Sequence, residues 1–217
     1  MTIATGILVI GGISFSASQS VEFWSTVDLE EGSCILNDYL RQMSDGPTVN
    51  QVSGQLVACM DNYCEIYQEG RWQHLANTTG QRKYHSSVST EDAVLLIGGT
   101  GSSNSTELIP MNGSSTQPGP FSVRHGPSHC TIQISADFIV VTGGEGTNDY
   151  VTQYQLTNRD QTDLASMQRP RFGHACGFYQ DETGQKVGRT LRTFLMYRYK
   201  EKYDVDSDCC AMIRFCS

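Results

Sequence analysis

Phe138-Ile139-Val140-Val141-Thr142-Gly143-Gly144 is a short apolar run closed by two glycines. Apolar and β-branched residues in a row, with turn residues on both sides, read as a strand buried on both faces. The glycine pair marks a point where the backbone turns tightly with positive φ. The same grammar occurs at Ile7-Leu8-Val9-Ile10-Gly11-Gly12 and at Val94-Leu95-Leu96-Ile97-Gly98-Gly99. Gly98 and Gly143 lie 45 residues apart, and Gly11 and Gly98 lie 87 apart. The longer gap is about twice the shorter, so a further unit is expected within it. Gln55-Leu56-Val57-Ala58-Cys59-Met60 occupies that place, with Cys59 and Met60 standing for the two glycines.

Other features keep this phase. Arg82-Lys-Tyr-His85 and Arg171-Phe-Gly-His174 repeat an Arg-x-x-His pattern, and Gly126-Pro-Ser-His129 keeps only the His. After each apolar run comes an alternating segment: Ser20–Trp24, Cys64–Gln68, Ser105–Ile109 and Tyr150–Tyr154. Alternation of this kind is the period-2 signal of a half-buried strand. Gly70–Leu75 and Asp163–Met167 then supply a last strand in the second and fourth units. Each unit therefore reads as four strands, a to d: a begins at the His, b is the apolar run, c alternates, and d carries Trp or Leu. Four-stranded sheets repeating at ~40–50 residues predict an all-β propeller.

The apolar run, Gly-Gly, tyrosine-bearing strand, Trp or Leu, and Arg-x-x-His together resemble kelch repeats. The resemblance covers about residues 7 to 187, with units at roughly 1–48, 49–84, 85–128, 129–173 and the start of a fifth at 174–187. The fourth unit matches best, through Gly143-Gly144, Tyr154, Met167, Arg171 and His174, and the first matches least. More narrowly, the cysteine-bearing units are similar to secreted kelch proteins of marine invertebrates. Kelch propellers usually close with six or seven blades, so about four units imply a fragment: a partial propeller in an open arc. From 188 to 217 the repeat phase is lost and the balance becomes basic, with six Lys/Arg against four Asp/Glu. That segment reads as a non-repeat, cysteine-containing tail.

Gly, Ser and Thr supply 62 of the 217 residues, as a chain of short strands and many turns requires. No run approaches the ~18 apolar residues of a membrane-spanning helix. A net charge of −8 argues against nucleic acid as a partner, because phosphate binding needs a basic surface. The first twelve residues lack a basic segment and read as a strand rather than a signal peptide.

Eight cysteines, with no CxxC, are open to two readings: scattered buried thiols or disulfides. Cys59 ends strand b and Cys64 begins strand c, so a bond between them would replace the Gly-Gly turn by covalent closure. Cys130 and Cys176 are the weaker pair, being one residue out of phase in consecutive units; such a shift should turn the side chains to opposite faces. Asn77, Asn104 and Asn112 head three Asn-x-Ser/Thr sequons in turn-like contexts. Together these features favour an extracellular setting, with the cytoplasm as the alternative.

No catalytic motif is present: there is no Gly-x-Ser-x-Gly, no phosphate loop and no His-Glu-x-x-His. His85, His129 and His174 recur at one phase, as a packing role predicts, and no metal or other cofactor is expected. In an antiparallel a-b-c-d sheet the b–c and d–a loops share one end. Arg82, Arg124 and Arg171 lie on or beside that end, either to grip a partner's carboxylates or to pair within and between units. The resemblance to kelch propellers implies a non-enzymatic module that binds a protein or glycan there. The alternatives are an intracellular kelch adaptor that presents substrates to a ubiquitin ligase, and a fragment of a copper enzyme similar to galactose oxidase.

Overall fold

A computed structural model describes residues 6–10, 21–25, 33–35, 46–180 apart from 103 and 148, and 186–193. Every regular element among them is a β-strand. Unit I comprises β1 (Gly6–Ile10), β2 (Val21–Ser25) and β3 (Ser33–Ile35). Unit II comprises β4 (Thr48–Val52), β5 (Gln55–Cys59), β6 (Tyr63–Gln68) and β7 (Arg71–Asn77). Unit III comprises β8 (Ser86–Ser89), β9 (Ala93–Ile97), β10 (Ser105–Pro110) and β11 (Gln117–Ser122). Unit IV comprises β12 (Cys130–Gln133), β13 (Phe138–Thr142), β14 (Val151–Gln155) and β15 (Gln161–Asp163). Unit V is the pair β16 (His174–Gln180) and β17 (Lys186–Thr193). Units II, III and IV are four-stranded antiparallel sheets in simple sequence order; among the described residues unit I shows three strands and unit V two. Among the described residues the sheets do not close into a ring.

β9 is an interior strand with both of its faces covered, whereas in β13 Phe138 and Val140 are only half-buried. All five side chains of β9 are buried. The pleat sends Val94 and Leu96 into a cluster with Val52, Val57, Cys59, Cys64 and Ile66 of unit II. It sends Leu95 and Ile97 into a second cluster with Val123 and with Ile139, Val141 and Tyr154 of unit IV. One strand thus serves two cores, which is why it reads as continuous apolar sequence. Truncating Leu96 to Ala would remove about 2–5 kcal/mol.

The first strands carry the units' mutual register. β4 packs on β8, β8 on β12 and β12 on β16. Equivalent residues point the same way round this series, so a contact between neighbours joins one phase to the other. Asn50 Nδ2 donates to Ser87 Oγ at 2.5 Å, and Ser86 Oγ lies 2.6 Å from Thr131 Oγ1. In each pair the second residue is one place out of phase with the first.

The structure corrects the sequence reading in four places. Met60 and Asp61, not Cys59 and Met60, stand where the glycine pair stands: Met60 N–H donates to Tyr63 O as Gly98 N–H does to Ser105 O and Gly143 N–H to Tyr150 O. Residues 117–122, in a unit for which the sequence names no last strand, form β11. Pro118 and Pro120 suggested a turn, but β11 is an outer edge strand, where a missing N–H is tolerated. In unit IV the last strand ends at Asp163, before Leu164. A boundary at 187 falls inside β17, which pairs with β16 through Thr193; the rest of the tail, with Cys209, Cys210 and Cys216, lies outside the described residues.

Candidate partner-binding face

The end of each sheet that carries the b–c and d–a connections is built from one repeated turn. The residue before the His position has positive φ in all four units where that turn is described: Gly46 (75°), Tyr84 (57°), Ser128 (60°) and Gly173 (58°). These turns bond to one another, Ser128 N–H to Tyr84 O at 2.9 Å and Gly173 N–H to Ser128 O at 2.7 Å. The turn then presents the imidazole inward. His85 Nδ1–H donates to Arg82 O at 2.5 Å, and His129 Nδ1–H donates to Gly126 O at 2.8 Å. A carbonyl can only accept, so Nε2 is the bare nitrogen and takes a hydroxyl proton from the preceding unit. The donors are Thr48 Oγ1 to His85 at 2.9 Å and Ser86 Oγ to His129 at 2.8 Å.

His174 differs. Its Nε2 meets Thr142 Oγ1 at 2.8 Å, within unit IV's second strand. The residue equivalent to Thr48 and Ser86 is Cys130, which has no hydroxyl to offer. Thr142 is the direct cross-strand neighbour of Cys130 and supplies the hydroxyl instead. Burial pushes His85, His129 and His174 down to about 4, so all three are neutral at pH 7.

Arg82 is not on the loop surface. It is 2% exposed, and its Nε donates to Glu107 Oε2 at 2.9 Å. Its Nη1 donates to the carbonyls of Gly98 and Ser105, both at 3.1 Å, and Nη2 to Ser105 Oγ at 3.0 Å. Glu107 Oε1 also accepts the Thr79 N–H at 2.8 Å. The guanidinium ties the b–c turn to the strands on either side of it, and none of its edges is offered to a partner. Unit IV meets the same need without charge. There His125 Nδ1–H donates to Gly143 O at 2.8 Å, and Thr152 Oγ1 lies 3.1 Å from Nε2. Thr152 pairs with Val141 as Glu107 pairs with Leu96, so His125–Thr152 replaces Arg82–Glu107.

Arg124 is exposed, and its Nη2 pairs with Asp163 Oδ1 across units III and IV, which raises its pKa. Its backbone N–H donates to the hydroxyl of buried Tyr154 at 3.3 Å. Arg171 is half-buried, and its carbonyl accepts the Gly144 N–H at 3.0 Å. The three arginines therefore do not converge. Tyr150, Leu164 and Phe172, the exposed large hydrophobics among the described residues, belong to this end of unit IV or the connection after it.

Cys59 and Cys64 face each other across the β5–β6 hairpin and are bonded, Cα–Cα 4.1 Å. Cys130 and Cys176 are also bonded, Cα–Cα 5.9 Å. The phase objection to the second pair fails because successive sheets meet front to back, so a one-place shift turns the two side chains toward each other. The side chains of Asn77, Asn104 and Asn112 are all exposed.

The sequence reading did not identify Glu107, or Glu65 at the equivalent place in unit II, both buried. The available signal was a carboxylate at the third position of β6 and of β10, both c strands. No family model matches this chain, and no curated protein is similar to it.

Proposed function

We propose that this chain is a kelch-type β-propeller segment, a non-enzymatic module that presents its b–c and d–a loops to an extracellular protein or glycan. The observation that carries this reading is the repeated loop end. Successive a-b-c-d sheets pack through their first strands, and each described b–c turn, in units II, III and IV, is bonded to an adjacent d–a segment. Arg82 N–H to Asp61 O, Thr100 N–H to Lys83 O, Gly144 N–H to Arg171 O and Glu145 N–H to Pro127 O are the ties. Loops held in this way by a rigid scaffold are suited to binding. The two disulfides support an oxidising setting. Within the loop end, the exposed Arg124, Tyr150 and Phe172 are the side chains of the kinds that dominate recognition energy.

The test is binding of the purified, oxidised chain to immobilised glycans and extracellular proteins. Arg124→Ala, Tyr150→Ala or Phe172→Ala should weaken a bound partner by about tenfold or more. Arg159→Ala, at the opposite end of unit IV, should leave binding unchanged. Loss of binding in the Arg159 variant alone would place the partner elsewhere.

A further inference from the structure

Folding should not leave the three sequons equivalent. The transferase reads a sequon through both the asparagine amide and the Ser/Thr hydroxyl two residues on, so both must be reachable. At Asn104 the amide is exposed but the hydroxyl is sealed. Thr106 is 4% exposed, and its Oγ1 donates to Phe121 O at 2.6 Å. Gly119 closes over it: a Cβ at that residue would lie 2.2 Å from Thr106 Oγ1. Thr106 sits where the β10–β11 register shifts between Ser105 and Glu107, and β10 is also paired with β9 on its other side. Freeing the hydroxyl means lifting β11 off β10, and freeing the whole sequon means also detaching β10, a central strand, from β9.

At Asn112 the whole triplet is open. Asn112, Gly113 and Ser114 are all exposed, in the turn that joins β10 to β11. Ser114 N–H donates to Asn112 Oδ1 at 3.0 Å, so the amide and the hydroxyl residue are already drawn together. A Cβ at Gly113 would meet no atom within 4 Å, so nothing crowds the turn. Asn77 is exposed, but the N–H groups after it are held, Thr78 by Asn62 O at 2.9 Å and Thr79 by Glu107 Oε1 at 2.8 Å.

We propose that Asn112 is the glycan acceptor that stays open after folding, and that Asn104 is an acceptor only while the chain is unfolded. This rests on the extracellular reading above. The donor class is an oligosaccharide carried on a polyprenyl pyrophosphate. Asn112 Nδ2 forms a bond to the sugar C1 as the C1–O bond to pyrophosphate breaks. The amide proton passes to a base of the transferase, and the lipid pyrophosphate leaves with the bonding electrons. Asn112 lies at the end opposite the proposed binding loops, so its glycan leaves them clear; Asn104 lies among them.

The experiment uses the full chain made without glycans, oxidised, with both disulfides verified. One portion stays folded and one is reduced and unfolded. Each receives purified oligosaccharyl transferase and the lipid-pyrophosphate-linked oligosaccharide, and occupancy is read per site by peptide mass. In the folded chain Asn112 should be modified about tenfold or more faster than Asn104, because a central strand opens far more rarely than a turn. In the unfolded chain the preference for Asn112 should be lost. Equal rates in the folded chain would overturn the proposal, as would failure of the folded chain to accept at Asn112. An Asn112 preference that persists in the unfolded chain would also overturn it, since the fold would not then be its cause. Expression behind an added secretion leader tests the extracellular reading separately: a chain that enters the secretory pathway yet carries no glycan counts against that reading and leaves the in vitro comparison intact.

Discussion

Cys130 and Cys176 are bonded at the two places where, one unit earlier, Ser86 and Thr131 share a hydrogen bond. The disulfide is thus a covalent version of a contact the repeat already makes. Removing it with Cys176→Ala should lower stability by about 2–4 kcal/mol. The double change Cys130→Ser with Cys176→Thr restores the polar pair and should recover about 1 kcal/mol of that loss. Urea midpoints of the three proteins decide the point. A double variant no more stable than Cys176→Ala would show that the two contacts are not interchangeable.

Arg82 and Glu107 form a buried ion pair whose partners satisfy nearly every polar edge. Arg82→Met would leave the Glu107 carboxylate buried without its cation and should cost about 3–5 kcal/mol. Glu107→Gln keeps an acceptor for the guanidinium and should cost less. Thermal unfolding of both variants checks the order, and the reverse order would contradict this assignment of roles.

The three repeated imidazoles make stability depend on pH in a set direction. Each is held near 4 in the fold, against about 6.5 for a free imidazole. Between those values the unfolded chain binds more protons than the folded one. The contribution is therefore full above about pH 6.5 and is lost as pH falls toward 4. From pH 7 to pH 5 His85 and His129 should each account for about 1–2 kcal/mol of lost stability, and His174 for less. His129→Gln should make the decline of the urea midpoint shallower; an unchanged slope would remove His129 from this account.

Gly99 and Gly144, the second glycines of their pairs, both have positive φ and are required by backbone, not by side-chain packing. Gly144 has φ 106°, and a Cβ there would lie 2.5 Å from Gly126 O. Gly144→Ala should cost about 2 kcal/mol or more. Gly113→Ala, with φ 70° and nothing within 4 Å, should cost about 1 kcal/mol. Similar losses for the two would mean that the close approach at Gly144 is easily relieved.

The strand grammar was legible because β9 and β13 carry their own evidence: an apolar run, then a glycine pair that only a tight turn explains. The Cys59–Cys64 closure was legible for the same reason, since both cysteines lie within one hairpin. What sequence could not supply was the way successive sheets face each other. Without it, the one-place offset of Cys130 and Cys176 counted against their bond, when front-to-back stacking requires that offset. For Arg82 the sequence leaves open whether it grips a partner or pairs within the units, because Glu107, its buried counter-ion 25 residues away, looks like one polar residue in an alternating strand. β11 was missed because its prolines signal turns, and its place at the sheet edge is a tertiary fact.

The most direct test of unit-to-unit stacking in an oxidising setting is peptide mapping, without reductant, of the full chain recovered from a secretory host. The account predicts two linked peptides, Cys59 with Cys64 and Cys130 with Cys176. If Cys59–Cys64 is found but Cys130 and Cys176 are free or joined elsewhere, the register between units IV and V is wrong. If all four emerge as thiols, the oxidising setting is contradicted.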